Sequence, residues 1–597
     1  MRTSPLLVAG LAVAAVGLSA CDNDAGAPPQ APVNITLIGL NDFHGQLPPP
    51  SGGVTVASAG NASGTRVSAG GAAYLATLVK DLKSRNANTL IVGAGDLVGG
   101  SPLASSMLHE EPAVEVLNEI GVDVSAVGEQ EFGRGLAELN RLQGGGCFPR
   151  SADGTQGVIG TDTCLVDGKF GGAKFQYLSA NVMDSSTGKT VFAPYVLRQY
   201  AGERIAFVGV TLKEAPTLAN PARTIGLTFK DEVETVNALV PELVQQGAAA
   251  IVVLLHQGGT TTASTVNDKT CPGLSADIAS MVDRFDPRID VVMSGHSHAE
   301  YNCTRPNGRL LTQAGSSGRM VSKIDLTISP DTHRVTAKSA DNLVVVNDLP
   351  IKDAQGQVVA IPAGYAALAK DAKVDALVTR FQGAATANMS QSIGALQSAL
   401  TRTLSASGES RMGDLVADIY LSGSSTAAYG NKVAQIAFVN SGSIRSNLSN
   451  LSVTFGDLVA VMPFGNRLVT MDLTGQQILR VLEQQWEAPQ PAGGRIMQVS
   501  GGFTYTWDAG LPEGAAAGTG ARVVPGSMKL DGVPIDLNKT YRVTVNDFLA
   551  VGGDNFTGFK TGKNLQYGDS DIDVGVAYFK LKGVVTTPGQ DRIQRLN

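Results

Sequence analysis

The sequence predicts an α/β protein of at least two domains, on three observations. Its 597 residues exceed what one hydrophobic core supports. Its first half alternates short apolar runs with helical patterns, the signature of strands laid between covering helices. Five of those runs end in a polar, glycine-containing turn, and ligands bind outside the carboxyl ends of such strands. The composition is that of a globular chain, 43% hydrophobic and 17% charged, and a net charge of −7 gives no basic face for nucleic acid.

Taken in order, the chain opens with "MRTSPLLVAGLAVAAVGLSAC", one arginine before an apolar run too short and too weakly flanked for a membrane span. Residues 1–20 therefore read as a secretory signal. Leu18-Ser19-Ala20-Cys21 resembles the lipobox of bacterial lipoproteins, which implies a lipidated Cys21 anchoring the chain to a membrane, in the periplasm or on the cell surface. Residues 21–33, rich in Ala, Pro and Asp, read as a tether. Strands are predicted at 34–40, 89–95, 122–128, 204–210, 249–255 and 289–295, helices at 72–85 and 232–247, and antiparallel β structure at 322–329. The Pro/Gly/Ser-rich stretch 48–70 reads as a loop after the first strand.

Around 345–392 the pattern changes, and 364–389 reads as a connecting helix. A second domain starts near 393, with a helix around 412–421 and strands at 434–440, 466–473 and 540–546. Beyond Cys21 four cysteines remain, Cys147, Cys164, Cys271 and Cys303, which allow three pairings. Sequence neighbours, Cys147 with Cys164 and Cys271 with Cys303, are favoured, and the absence of CxxC spacing argues against zinc at these cysteines.

The polar turns carry the chemistry. Strand 34–40 runs into Asn41, Asp42 and His44; 89–95 into Asp96; 122–128 into Glu129 and Gln130; 249–255 into His256; 289–295 into His296 and His298. Four of the chain's six histidines stand at these ends. Imidazole with carboxylate suits zinc, manganese or iron. Asp42, His44, Asp96, Glu129, His256, His296 and His298 are too many ligands for one tetrahedral ion and suit two ions sharing a carboxylate, with Asp96 as the bridge.

These residues resemble the calcineurin-type metallophosphoesterases, and within them the bacterial 5′-nucleotidase and UDP-sugar hydrolase family. "NDFHG", "GD" at 95–96, "VVLLHQGG" and "SGHSH" all match. The resemblance implies a four-layer α/β-β/α metallophosphoesterase sandwich over 34–345, a linker with a connecting helix over 346–392, and a smaller α+β substrate-binding domain over 393–597. It implies a nucleotide or nucleotide-sugar substrate, two divalent ions (Zn, Mn or similar), and in-line attack on phosphate by a metal-bridged hydroxide. In the second domain "NSGSIR", "MPFGN" and "NDFLAVGGDNF" match the family's binding motifs. They imply that Phe464 and Phe548 clamp the base, that Asn466 lies beside it, that Arg445 faces the substrate and that Asp554 accepts from ribose hydroxyls. Arg402 fits the first of two family arginines, whereas the second falls on Ala406.

One strand end departs from the pattern. Where the family has Asn-His-Glu-Phe-Asp, this chain has Glu129-Gln130-Glu131-Phe132-Gly133. Glu129 retains a metal-binding carboxylate. Gln130, at the position of the family's catalytic histidine, can donate a hydrogen bond but cannot pass a proton. The expectation is an exported phosphoesterase of attenuated or altered activity. The alternative is a catalytically degenerate homologue that binds nucleotides.

Overall fold

The computed structural model describes residues 30–58, 61–150, 156–218, 223–353, 356–425, 432–491, 493–516 and 518–597. The expected signal segment and lipobox lie outside the described residues. Among the described residues no helix is long and apolar enough to cross a membrane.

The first half builds β1 (Val33–Leu40), β2 (Val54–Ser58), β3 (Asn61–Val67), α1 (Ala72–Arg85), β4 (Thr89–Ala94), α2 (Glu111–Ile120), β5 (Val124–Ala126) and β6 (Gln176–Leu178). It continues with β7 (Tyr195–Tyr200), β8 (Glu203–Thr211), α3 (Glu232–Gln245), β9 (Ala248–His256), α4 (Ala276–Asp283) and β10 (Val291–Ser294). The last strands are β11 (Glu300–Thr304), β12 (Leu310–Ala314), β13 (Met320–Ser329) and β14 (Arg334–Val344), followed by the connecting helix α5 (Ala372–Asn388).

Two mixed sheets result, in the orders β14-β13-β1-β4-β5-β6 and β11-β12-β10-β9-β8-β7. Strands β1, β4, β5 and β6 are parallel, as are β8, β9, β10 and β12. The sheets pack face to face through one buried core, in which Leu37, Val92 and Ala126 meet Phe207, Leu254 and Met293. A strand covered on both faces has no polar side to present, so β9, AAAIVVLLH, is buried throughout and reads as a continuous apolar run. Leu75, Val79, Val116 and Leu117 of α1 and α2 cover one outer face, and Val236, Val240, Ile278 and Val282 of α3 and α4 cover the other. The expected α/β-β/α layering is the observed one.

Two local expectations change. Residues 48–70 are not only loop: β2 and β3 pair as a hairpin, Val54 opposite Val67, with Val54, Val56 and Val67 buried against Val266 and Val346. The connecting helix begins at Ala372 rather than 364, because the Asp371 side chain caps Val374 N while Leu368 N and Asp371 N bond to Val346 O and Ala73 O. It is not free-standing: Val374, Val378, Phe381 and Ala385 pack into the core over α1 and α2. Burying Phe381 alone contributes roughly 1.5–3 kcal/mol.

The later residues form α6 (Arg411–Ser424), β15 (Ile436–Asn440), α7 (Phe455–Val461), β16 (Arg467–Thr474), α8 (Gly475–Glu483), β17 (Met497–Val499), β18 (Thr540–Asn546), β19 (Lys563–Ser570) and α9 (Asp571–Lys582). Their sheet runs β17-β15-β18-β16-β19 and shares no strand with the first two. One face packs on α8 through Ile478, Val481 and Leu482, the other on α6 and α9 through Leu415, Ile419 and Val574.

Both disulfides join sequence neighbours, Cys147 to Cys164 and Cys271 to Cys303, as expected.

Candidate functional site

Parallel register places the polar turns level with one another. Leu40 lies beside Gly93, Ala94 beside Ala126, and Leu255 beside Ser294, so the residues that follow emerge at one end of both sheets. The backbone pairing extends past the strands: Asp42 N donates to Gly95 O and His44 N to Asp96 O. Five of the polar residues then leave the strand direction in left-handed turns, with φ of 49° at Asp42, 48° at His44, 50° at Asp96, 70° at His296 and 56° at His298. Non-glycine residues rarely adopt this region, and where they do the surrounding structure enforces it, most often at a site.

The side chains converge. Asp42, His44 and His298 form one group, Glu129, His256 and His296 a second, and Asp42, Asp96 and His256 a third, each with ligand-type atoms within 4.8 Å of one another. His256 Nε2 lies 2.7 Å from Glu129 Oε2 and 3.3 Å from Asp96 Oδ2. His296 Nδ1 is 3.1 Å from Glu129 Oε1, and His298 Nε2 is 3.5 Å from Asp42 Oδ1. The Nδ1 atoms of His44 and His256 each lie 2.7 Å from a carbonyl, Gly99 O and Ala94 O, which leaves their Nε2 lone pairs facing the cluster. His44 Nε2 and His298 Nε2 approach to 3.0 Å. Asp96 Oδ2, Glu129 Oε2 and His256 Nε2 are buried against one another, at 2.7 and 3.3 Å, with no hydrogen-bond partner outside the cluster among the described residues. Inward-facing lone pairs, orphaned buried acceptors and mixed N/O donors are what a divalent cation requires, so the residues present fit a metal centre.

The electrostatics are correspondingly polarised. Burial, reinforced by the charge of Glu129, pushes the Asp96 carboxyl well up. Burial works the same way on Glu129, but the charges and hydrogen bonds of His256 and His296 outweigh it and hold Glu129 well down. Asp42 is also held low against its burial, by His298, His256 and His44. His256, though buried, is raised by Asp96 and Glu129, while burial lowers His44.

Two groups that sequence reasoning does not single out hold this arrangement. Glu131, buried, accepts from Asp96 N at 2.9 Å, Gly128 N at 2.8 Å, Leu97 N at 2.8 Å and Val98 N at 3.4 Å. It ties the β4 turn to the β5 turn. Asn41 donates to Asp42 Oδ2 at 2.8 Å and to Gly315 O, and accepts from Ala314 N, fixing the Asp42 carboxylate. Gly128 admits no side chain, since a Cβ there would stand 2.2 Å from Asp96 Oδ1 and 2.8 Å from His256 Nε2. Gln130 is half-buried at the rim, its backbone N donating to Asp96 Oδ1 at 2.9 Å. Gly133 faces open space: a Cβ there would meet only Gln130 Oε1, at 4.0 Å.

The sheet β17-β15-β18-β16-β19 gathers the remaining predicted residues at one of its ends. Leu468 pairs with Asn546, which sets the segment before β16 beside the segment after β18. Phe464 and Phe548 lie on these segments and are 58% and 43% exposed, which excludes a core-packing role. The Arg445 guanidinium lies 5.8 Å from the Phe464 ring centroid, and Arg402 Nη1 donates to Arg445 O at 3.1 Å. Asn466 O accepts from Asp571 N at the start of α9. Asp554 Oδ2 accepts from Asn440 Nδ2 at 2.7 Å, and Oδ1 pairs with Arg495 Nη1 at 2.6 Å.

Comparison with known proteins places this geometry. The model of the 5′-nucleotidase C-terminal domain matches residues 384–561, the span that holds Arg402, Arg445, Phe464, Asn466, Phe548 and Asp554. A solved 5′-nucleotidase precursor of Thermus thermophilus superposes with a TM-score of 0.50 at 26% identity, covering 95% of this chain and 100% of that one. The chain belongs to the 5′-nucleotidase family. Members of this 5′-nucleotidase family are phosphoesterase-type hydrolases. An endonuclease of Bacillus subtilis is 30% identical over 559 residues, 92% of this chain; the chain spans only 40% of that relative's length. The NAD nucleotidase of Haemophilus influenzae shares the fold with a TM-score of 0.68 at 20% identity, over 95% of this chain and all of the other. One end of two sheets thus gathers the ligand-type side chains, while a separate sheet presents exposed aromatics.

Proposed function

We propose that this chain is an exported dinuclear-metal phosphoesterase that hydrolyses nucleotides, with activity attenuated at the strand end of Glu129–Gly133. The observation that carries the reading is the convergence of seven ligand-type side chains, with buried acceptors left over, at one end of the sandwich. Asp42, His44, Asp96 and His298 would hold one ion, and Asp96, Glu129, His256 and His296 the other. Ions of the zinc or manganese kind would supply there the charge that polarises a phosphate and lowers the pKa of water. Phe464 and Phe548 would stack on the base, with Asn466 beside it; Arg402 and Arg445 would meet the phosphate side and Asp554 the ribose.

The chain's own residues define what is missing. Gln130 can donate an amide hydrogen bond to a phosphate oxygen but carries no proton for a departing oxygen. Gly133 has no side chain to orient it. A nucleoside alkoxide, a poor leaving group, therefore departs unaided by this strand end, whereas p-nitrophenolate needs less help. The same two positions favour the second reading, a homologue that binds nucleotides without turning them over. Export is supported by the secretory pattern at the N-terminus and by the two disulfides, which persist in oxidising compartments.

The test measures bound metal on purified protein together with turnover of AMP, ATP, a UDP-sugar and p-nitrophenyl phosphate. Two ions per chain and turnover of p-nitrophenyl phosphate and ATP well above AMP are expected. Restoring Glu129→Asn, Gln130→His and Gly133→Asp together should raise AMP turnover by on the order of 10²–10³ and p-nitrophenyl phosphate least. A Cβ at Gly133 would meet only Gln130 Oε1, at 4.0 Å, so the backbone there accepts a side chain without a clash at its first atom. Equal gains on both substrates would refute the leaving-group assignment. Bound nucleotide with no turnover, before or after restoration, would establish the binding reading.

A further inference from the structure

Arg495 carries no role in the reading above, yet it stands in the proposed nucleotide site. It precedes β17 in the connection from α8, and its backbone N is anchored to Gln485 O at 2.8 Å. Its side chain is 43% exposed, and its guanidinium pairs with Asp554 Oδ1 at 2.6 Å. The same connection sends Gln490 Nε2 to the Asp554 carbonyl at 2.8 Å. Asn440 Nδ2 takes the other carboxylate oxygen at 2.7 Å and is braced by Asn546 Nδ2 at 3.1 Å. Asp554 is held in a left-handed turn, with φ of 52°. Its carboxylate is thus fixed on two sides, and Arg495 is the member of the network that also reaches solvent.

A carboxylate and a guanidinium side by side form a complementary pair, acceptor next to donor. Each Asp554 oxygen already accepts one donor, from Asn440 and from Arg495, so the carboxylate keeps lone pairs for a hydroxyl hydrogen but has no donor for a hydroxyl oxygen. With Arg495 alongside, one hydroxyl of a vicinal diol donates to Asp554 while the adjacent hydroxyl oxygen accepts from a guanidinium N–H. A guanidinium also has donors to spare after pairing with a carboxylate. We infer that Arg495 is a specificity-determining residue that, with Asp554, reads the cis-diol of a ribonucleotide. This rests on the proposed nucleotide site in the second domain. Loss of either hydroxyl leaves one half of the pair unanswered, and sites built to bond a hydroxyl reject analogues that lack it more strongly than apolar sites reject a missing methylene.

The test is equilibrium binding of AMP, 2′-deoxy-AMP and 3′-deoxy-AMP to the full chain, wild type and Arg495→Ala, by calorimetry. The wild type should prefer AMP over both deoxynucleotides by about tenfold or more, the scale of a hydrogen bond to a charged group. Arg495→Ala should weaken AMP and bring the three affinities within about twofold. Arg495→Lys, which keeps the charge but loses the planar fork, should fall between. An unchanged preference in Arg495→Ala would overturn the inference. So would equal weakening of all three ligands, because Arg495 would then act as a bulk charge. A wild type that binds AMP and both deoxynucleotides equally removes diol reading while leaving the nucleotide site intact. A wild type that binds none of them removes the site itself, and the inference with it. Thermal unfolding of Arg495→Ala should match the wild type, since the side chain packs in no core.

Discussion

Glu131→Ala should loosen the whole ligand cluster although Glu131 faces no ligand position. Its carboxylate accepts four buried backbone N–H groups, three at 2.8–2.9 Å and one at 3.4 Å. Bonds to a charged acceptor are worth about 1.5–3 kcal/mol each, which would suggest well over 5 kcal/mol. Burial penalises that charge and pushes the Glu131 carboxyl up, so part of the gain is lost to desolvation. Taking the three short bonds at about 1 kcal/mol each gives a net destabilisation of about 3 kcal/mol. Glu131→Gln keeps the shape and one acceptor oxygen but turns an NH₂ toward two N–H donors, so about half that loss is expected. Urea unfolding with linear extrapolation reads both values, and an unchanged m confirms that only stability moved. Because the bonds tie the Asp96 turn to the Glu129 turn, Glu131→Ala should also lower bound metal, measured by mass spectrometry. A loss below 1 kcal/mol, or Gln as damaging as Ala, would refute the clamp.

Two further outcomes follow from buried groups elsewhere. Burial, with the charge of Asp547 adding, raises the Asp571 carboxyl from 3.8 to about 8. The folded chain therefore keeps a proton that the unfolded chain releases near pH 4. The associated stability is full below about pH 4 and is lost, at about 1.4 kcal/mol per pH unit, as pH rises towards 8; Asp571→Asn should flatten that slope in urea midpoints taken at pH 5, 6.5 and 8, and an unaltered slope would exclude Asp571 as its source. The Cys271–Cys303 bridge spans a sequence separation of 32, for which the chain-entropy model gives about 3.5 kcal/mol, so the double serine variant should lose that much in the same assay, and a loss under 1 kcal/mol would count against the model here.

The frame of the molecule was legible because strand and helix in the first half differ in period, and because polar residues at strand ends interrupt long apolar runs. Helix 72–85 is found residue for residue, and the seven ligand-type residues fall into three groups, the ligand atoms of each within 4.8 Å of one another. The β2–β3 hairpin was not legible: Thr55, Ser58, Asn61, Ser63 and Gly64 are among its outward positions, and sequence patterns assign such residues to loops. The start of the connecting helix was missed because Gly364–Lys370 favours a helix locally, while backbone bonds to Val346 and Ala73 hold it extended. Glu131 and Arg495 act through backbone amides and a carboxylate far away in sequence, and no local pattern announces such partners. Nor does sequence reveal that Asp42, His44, Asp96, His296 and His298 sit in left-handed turns, since only glycine advertises that conformation.

The cluster also divides its charges by sheet. Asp42, Asp96 and Glu129, and with them His44, follow strands of one sheet, whereas His256 ends a strand of the other and His296 and His298 follow one. The pairs Glu129–His256, Glu129–His296, Asp96–His256 and Asp42–His298 therefore all cross the seam of the sandwich. A lone apolar interface lets two layers slide or part independently at their ends. Here the open end is clasped like a zip, with the carboxylates on one side and three of the four imidazoles on the other. Amides at the carboxyl ends of β4, β5, β9 and β10 should then exchange with deuterium as one cooperative unit rather than sheet by sheet. Whatever strengthens the clasp should slow all four together.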